Sequence, residues 1–215
     1  MTLSQTLRSS VGQKFLMAVS GAILSLFLAV HGIGNSLTFF GSEAFNAYAE
    51  KLHSLGFLVP LFELGLLAVF LLHIFLGLTL FLQNNQARPV RYQVEKSSGG
   101  RTPGSRTMPY TGVVILIFLA VHLANFHFTD RAIPISEIVR NVLRQPLYAL
   151  FYISAMAVLA LHISHGFWSL FQSLGINHPK YNTALRHGSL GAAVVLSAVF
   201  MFIPLCTLLI KEFLR

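Results

Sequence analysis

Residues 57–82 read FLVPLFELGLLAVFLLHIFLGLTLFL, an apolar run that holds one acid, Glu63, and one histidine, His73. About 20 helical residues cross the hydrocarbon core of a bilayer, so a run of this length predicts a transmembrane helix. Similar runs recur along the chain and predict five such helices, I to V, at about 15–40, 57–82, 108–129, 146–173 and 187–210. The expected fold is an all-α membrane protein in which residues 1–215 form a single transmembrane domain.

The composition favours the same fold class. Hydrophobic residues make up 54% of the chain, charged residues 10%, and the mean hydropathy is +0.68, values typical of an integral membrane protein. The net charge is +8, but the cations are spread over the helix ends rather than gathered on one face. We therefore expect contacts with membrane lipid and no binding of nucleic acid.

The Lys and Arg residues of the loops predict the orientation, because cationic loops stay preferentially on the cytoplasmic side. With the N-terminus inside, the inner segments carry nine Lys and Arg residues and the outer segments carry six. This bias predicts a cytoplasmic N-terminus. The inner loop 83–107 holds five of the cations among Gly, Ser and Pro, so lipid headgroups or a cytoplasmic partner are expected to dock there.

Helices I to IV each contain one deep histidine, and these are His31, His73, His122 and His162. An imidazole facing lipid is costly, so each ring needs a partner inside the bundle. Counting along alternating helices puts one pair in the outer half and the other in the inner half, with the two levels on the order of 10 Å apart. Two facing imidazoles fill both axial positions of a haem iron, which suits electron transfer. The pattern therefore predicts a bundle of helices I to IV around two stacked haems.

Other readings of these histidines stay open. One alternative is that each ring makes a polar contact with a neighbouring helix. His165 is an alternative to His162 as a ligand, and His127, five residues after His122, is an alternative to His122 that is expected near the outer interface. A transporter or proton channel is a further alternative, but it predicts more buried acids and broken helices than this chain contains.

Several short segments around the histidines point to one family. They are His31 with Gly41-Ser42-Glu43-Ala44-Phe45-Asn46, Leu72-His73 with Gly77, Val121-His122, and Leu161-His162-Ile163-Ser164 with Gly166-Phe167-Trp168-Ser169. With them the chain resembles, over nearly its whole length, the five-helix dihaem cytochrome b subunit of succinate:quinone and quinol:fumarate oxidoreductases. A cytochrome b anchor of a hydrogenase or formate dehydrogenase is the nearest alternative, distinguished by its different distribution of ligands among the helices.

The resemblance implies a multi-pass subunit of the bacterial cytoplasmic membrane that anchors a flavoprotein subunit and an iron–sulfur subunit on the cytoplasmic face. It implies two haem b groups, with His31 and His122 holding the outer one and His73 and His162 the inner one. Menaquinol or menaquinone exchanges electrons with these haems, and the dicarboxylate chemistry belongs to the partner subunits. The direction of electron flow and the pairing of two such complexes into a dimer stay open.

The resemblance also directs attention to a quinone site and to the haem propionates. Quinol oxidation releases two protons, so a titratable group beside the quinone is needed, and the candidates are Glu63, His53 and Glu50. Alternatively, Glu63 is an interfacial acid paired with Lys51 or water. Candidate partners for the propionates are Arg91, Arg186, His187 and Lys14. In one departure from the family, Ala160 stands where some members carry an acid that helps protons to cross the membrane.

Overall fold

The computed structural model describes residues 2–87, 102–129 and 132–214, and 86% of this part of the chain is helical, with no strand. Five of its helices are long and apolar enough to cross a membrane, which confirms the prediction of an all-α protein with five spans. The helices are α1 (Leu3–Arg8), α2 (Ser10–Ser36), α3 (Ser42–His53), α4 (Leu58–Gln86), α5 (Pro103–Phe126), α6 (Ile135–Leu143), α7 (Pro146–Ser173) and α8 (Pro179–Leu209).

Predicted helix IV coincides with α7, but the predicted starts of helices III and V are wrong. Helix α5 begins at Pro103 instead of 108, and α8 begins at Pro179 instead of 187. Each start carries a proline in its first turn and a capping side chain just before it, Thr102 for α5 and His178 for α8. Apolar runs mark only the lipid-facing part of a helix, whereas caps and prolines set where it begins.

The other predicted ends need smaller corrections. Helix α2 starts at Ser10 instead of 15, because the hydroxyl of Ser9 accepts a hydrogen bond from the amide of Gly12. It ends at Ser36 and continues as a 3-10 turn to Phe40. Predicted helix II is α4, which runs on to Gln86 through polar residues, while α5 and α8 end at 126 and 209 rather than at 129 and 210.

Two short helices that the apolar runs did not predict, α3 and α6, lie together at the end of the bundle where α2 ends. We call this the far end, and the end where α2 begins the near end. Gly41 has φ 105°, which favours glycine, and it turns the chain into α3. From α3, the side-chain oxygen of Asn46 accepts a hydrogen bond from the amide of Ser136 in the first turn of α6, at 3.0 Å.

The C-terminal segment completes this far end. Arg140 donates a hydrogen bond to the carbonyl of Leu214 at 3.3 Å, and Arg144 donates one to the carbonyl of Lys211. A buried apolar cluster lies beneath these contacts, formed by Phe45, Val139, Leu143, Tyr152, Ile203 and Leu214. The far end of the bundle is thus closed by α3, α6 and the C-terminal residues together.

The long helices differ in how much of their surface is packed. Helix α7 lies in the middle of the bundle against α2, α5 and α8, whereas α4 packs mainly against α2. Large apolar side chains cover the outer surface, and examples are Phe62 and Leu147, which are 70% and 80% exposed. Since such a surface is unfavourable in water and suited to lipid, the fold is that of a multi-pass membrane protein.

Candidate histidine sites

The four predicted histidines meet as two pairs at two levels of the bundle. His31 of α2 and His122 of α5 lie toward the far end, with ring centroids 6.0 Å apart and ring planes at 86°. His73 of α4 and His162 of α7 lie closer to the near end, where each ring meets a hydroxyl of α2 or α5. We call these the far pair and the near pair. The structure places the rings of His31 and His122 in contact and His73 and His162 at one second level.

Aromatic rings surround the far pair. Phe27 and Phe200 stack on His31 at centroid distances of 5.3 and 5.6 Å. The rings around His122 are Phe118, Phe126 and Tyr152, at 5.6, 5.2 and 6.1 Å. Nδ1 of His122 is buried without a hydrogen-bond partner in the described part of the chain. The far pair is therefore held mainly by packing between rings.

Hydroxyl groups hold the near pair instead. Oγ of Ser20 lies 3.0 Å from Nδ1 of His73, and Oγ1 of Thr111 lies 3.0 Å from Nδ1 of His162. Ser20 and Thr111 are both buried, on α2 and α5 respectively, the helices that carry the far pair. Each imidazole of the near pair is thus fixed by a hydroxyl from a neighbouring helix.

A glycine follows each of these hydroxyl residues and lets the imidazole approach the helix backbone. A Cβ at Gly21 would lie 3.3 Å from Cε1 of His73, and one at Gly112 would lie 3.7 Å from Cε1 of His162. The first distance is tight for a methyl group and the second is ordinary contact. Close approach of His73 to α2 therefore depends on Gly21, whereas Gly112 leaves room for a methyl group beside His162.

Each hydroxyl lies within hydrogen-bond distance of an imidazole nitrogen and of a carbonyl on its own helix. For Ser20 that carbonyl is Met17 at 3.0 Å, and for Thr111 it is Met108 at 3.0 Å or Thr107 at 3.1 Å. A hydroxyl has one proton to give but two lone pairs with which to accept. Donation to the carbonyl leaves the oxygen free to accept from Nδ1–H, and in that tautomer Nε2 of the imidazole keeps its lone pair.

The two levels are further apart than the sequence estimate of about 10 Å. Ser20, which touches His73, and His31 are eleven residues apart on α2. Eleven residues make close to three helical turns, so both side chains lie on one face of α2, separated by roughly 16 Å along its axis. Thr111 and His122 have the same spacing on α5.

Each level contains two of these histidines. Residues 2–87, 102–129 and 132–214 contain no group of three or more His, Cys, Asp or Glu that could hold a metal ion. Comparisons with protein-family models, curated proteins and solved structures found no match. The resemblance to dihaem cytochromes b therefore stays a prediction that rests on the residues of this chain.

Among the quinone candidates, Glu63 has a partner that the sequence did not suggest. Its carboxylate lies 3.7 Å from Nδ1 of His127, at the far end of the bundle, where α4 begins and α5 has just ended. The two side chains are 45% and 34% exposed. Glu50 and His53 lie exposed on α3. The expected alternative partner of Glu63, Lys51, is likewise exposed on α3.

Three of the propionate candidates belong to the described residues and lie toward the near end. Lys14 is exposed on α2, and Arg186 and His187 are exposed on α8. Arg91 lies outside the described residues, as does most of the predicted docking loop 83–107. His165, the alternative to His162, packs against Gly104 in the first turn of α5, and its Nδ1 is 3.5 Å from the hydroxyl of Thr102.

The sequence interpretation missed Ser20 and Thr111, although an internal repeat could have revealed them. Residues 20–31 read SGAILSLFLAVH and residues 111–122 read TGVVILIFLAVH, which share a hydroxyl–glycine start and an identical FLAVH end. A second match relates 72–77, LHIFLG, to 161–166, LHISHG. The structure follows the repeat, because α2, α3 and α4 form a long, a short and a long helix, and so do α5, α6 and α7.

Proposed function

We propose that this chain is the dihaem cytochrome b membrane anchor of a succinate:quinone or quinol:fumarate oxidoreductase. It would pass electrons between menaquinol or menaquinone in the bilayer and an iron–sulfur subunit on the cytoplasmic side. The observation that carries the proposal is the contact of His31 with His122, together with the position of His73 and His162 at a second level of a five-helix bundle. Histidines gathered inside a transmembrane bundle mark a functional site by default.

The residues of both levels fit a bis-histidine haem. Two nitrogens bound to one metal at about 2 Å put the ring centroids roughly 6 Å apart, and those of the far pair are 6.0 Å apart. In the near pair, the hydroxyls on Nδ1 leave Nε2 as the ligating nitrogen. All four rings are half-buried, so part of each remains accessible to a bound group.

Haem b held at each level supplies one-electron transfer, and two histidine ligands leave no coordination position open for oxygen chemistry. The protein's own contribution differs between the levels. At the far pair, Phe27, Phe118 and Phe200 pack against the imidazoles and restrict the orientation of the rings. At the near pair, Ser20 and Thr111 orient the imidazoles through hydrogen bonds.

The far end supplies groups suited to quinol oxidation. Glu63 and His127 are two titratable side chains 3.7 Å apart, and both are partly exposed, so a membrane-dissolved quinol can reach them. Releasing two protons from quinol requires an acceptor within hydrogen-bond reach of the ring oxygen. We assign proton acceptance to Glu63 with His127 as its partner, and Glu50 and His53 of α3 are the further candidates.

The proposed orientation puts the near end at the cytoplasm. There the loop 83–107 with its five cations would dock the iron–sulfur and flavoprotein subunits, in the cytoplasmic membrane of a bacterium. Lys14, Arg186 and His187, with Arg91 of the loop, would meet the propionates of the inner haem and the lipid headgroups. Electrons from quinol at the far end would then pass the far pair first and the near pair second.

The deciding experiment is a reduced-minus-oxidised optical spectrum with haem quantitation on the purified full chain. We expect two b-type haems per chain. His31→Ala and His122→Ala should each remove the same haem, and His73→Ala and His162→Ala should each remove the other. Redox titration identifies which of the two remains.

His178→Ala is the matched control, since His178 is exposed and caps α8 outside both pairs, and it should retain both haems. An iron-free, colourless chain made with ample haem would contradict the proposal. If His31→Ala and His73→Ala removed the same haem, the pairing would be wrong. Co-purification of a flavoprotein that reduces fumarate distinguishes this anchor from that of a hydrogenase or formate dehydrogenase.

A further inference from the structure

The two halves of the internal repeat contribute to both levels in the same way. The segments 20–31 and 111–122 each carry a far-pair histidine at the end and a hydroxyl at the start, about three helical turns away. The hydroxyl reaches a histidine of the other long helix of the same half, so that Ser20 serves His73 and Thr111 serves His162. In both halves, a hydroxyl residue followed by a glycine lies where a near-pair imidazole contacts the helix.

Each hydroxyl can hold its imidazole in one tautomer without losing a hydrogen bond of its own. It donates to a carbonyl one turn earlier and accepts from Nδ1–H, so both groups are satisfied when the imidazole proton lies on Nδ1. An imidazole whose Nδ1–H is held by an acceptor is locked in one tautomer, and its Nε2 becomes a stronger electron donor. In the far pair, Nδ1 of His122 has no such acceptor in the described part of the chain.

We infer that Ser20 and Thr111 are positioning residues for the two near-pair imidazoles: each accepts a hydrogen bond from Nδ1–H, keeps Nε2 unprotonated as the ligating nitrogen, and would increase its electron donation to a bound haem iron. The inference rests on the proposed function. A stronger donor favours the oxidised over the reduced metal, so these hydroxyls hold the reduction potential of the near-pair haem below the value it would have without them. The potential of the far-pair haem is independent of them.

The test is a redox titration of the full chain, with the near-pair haem identified from the His73→Ala variant. In Ser20→Ala and Thr111→Val we expect the potential of that haem to rise. The change in its oxidised-to-reduced ratio at fixed potential is on the order of tenfold, which is about 59 mV for a one-electron couple. The potential of the far-pair haem should not move. The low-spin electron paramagnetic resonance signal of the near-pair haem should shift with its potential.

Matched controls and exchange variants separate the hydrogen bond from packing. Ser25→Ala on α2 and Thr107→Val on α5 remove hydroxyls that bond only to their own helix in the described contacts, and both should leave the two potentials unchanged. Ser20→Thr and Thr111→Ser exchange the residues of the two halves and keep an acceptor oxygen. They should retain both haems and the wild-type potentials.

The outcomes separate this inference from the proposed function. A wild-type chain without two haems would overturn both. A chain with two haems whose potentials and resonance signals are unchanged in Ser20→Ala and Thr111→Val would overturn the inference alone. If the near-pair haem is lost in Ser20→Ala but kept in Ser20→Thr, the hydroxyl is needed for positioning and the inference holds. Loss in Ser20→Thr as well would attribute the effect to packing and overturn it.

Discussion

The far pair and the near pair are built from the same residue type but are held by different forces. Rings from α2, α5, α7 and α8 enclose His31 and His122, and a buried nitrogen of His122 stays unpaired in the described part of the chain. Hydroxyls and glycines of α2 and α5 hold His73 and His162. Packing of aromatic rings therefore positions the imidazoles of the far pair, whereas hydrogen bonds position those of the near pair. The two pairs should respond to different substitutions.

The largest effect is expected from removing a ring of the far pair. Phe118→Ala deletes a ring that packs on His122, Phe151 and Tyr152, and we expect it to lower the free energy of unfolding by about 3 kcal/mol. Thermal unfolding of the detergent-solubilised chain measures this. The far-pair haem should also be lost before the near-pair haem.

The repeat supplies the matched control for this prediction. Phe27 occupies the equivalent place beside His31 but is 43% exposed. Phe27→Ala should therefore lower the free energy of unfolding clearly less than Phe118→Ala does. Equal losses of stability would mean that the two halves are packed alike at this level. The comparison between shape and hydrogen bonding would then need revision.

A second expected effect separates the far end from the near end by chemistry. Glu63→Gln keeps the size of the side chain but removes the proton acceptor, and we expect quinol oxidation to fall by about 100-fold. Both haems should remain bound, because Glu63 contacts neither pair in the described structure. Stopped-flow reduction of the haems by a menaquinol analogue is the measurement.

A competing candidate for proton acceptance, Glu50, lies nearby on α3. Glu50→Gln changes an exposed acid at the same end of the bundle and should leave the rate within a factor of about two. If Glu50→Gln slowed the reaction and Glu63→Gln did not, proton acceptance would belong to α3. The pairing of Glu63 with His127 would then be structural.

The smallest effect concerns the glycines of the near pair. In Gly21→Ala the new methyl group would lie 3.3 Å from the ring of His73, and we expect a loss of about 1 kcal/mol in stability with partial loss of the near-pair haem. Gly112→Ala is its counterpart on α5, with 3.7 Å of space beside His162. Gly112→Ala should leave the thermal stability unchanged or raise it slightly, since alanine has a higher helix propensity than glycine. A reversed order in thermal unfolding would contradict the asymmetry between these two contacts.

The sequence was sufficient for the five spans and for the contact between His31 and His122. Apolar runs detect lipid-crossing helices because the bilayer demands them, and helical geometry fixes the depth of a histidine within a run. Apolar runs did not predict the polar ends of the helices. Helix α8, for example, begins at Pro179, before its apolar run. The short helices α3 and α6 were not predicted either, because neither contains a long apolar run. They are stabilised by the Asn46–Ser136 contact and by the buried far-end cluster.

The partners of the histidines were only partly within reach of the sequence. Ser20 and Thr111 could have been found from the repeated SGAILSLFLAVH and TGVVILIFLAVH segments. The contribution of Phe200 to the far pair could not, because α8 lies outside the repeat and nothing in its sequence fixes which face meets α2. The same holds for Glu63 and His127, whose approach depends on how α4 and α5 are arranged in three dimensions.

The duplicated arrangement of helices has a consequence for biosynthesis. The N-terminal half supplies one imidazole to each level and the C-terminal half supplies the other, so neither half contains a complete site. During synthesis, each level still lacks its second histidine after α4 has entered the membrane. The far level gains its second ring only with α5, and the near level only with α7. In the proposed function, haem would bind between both histidines of the far level only after insertion of α5, and between both histidines of the near level only after insertion of α7.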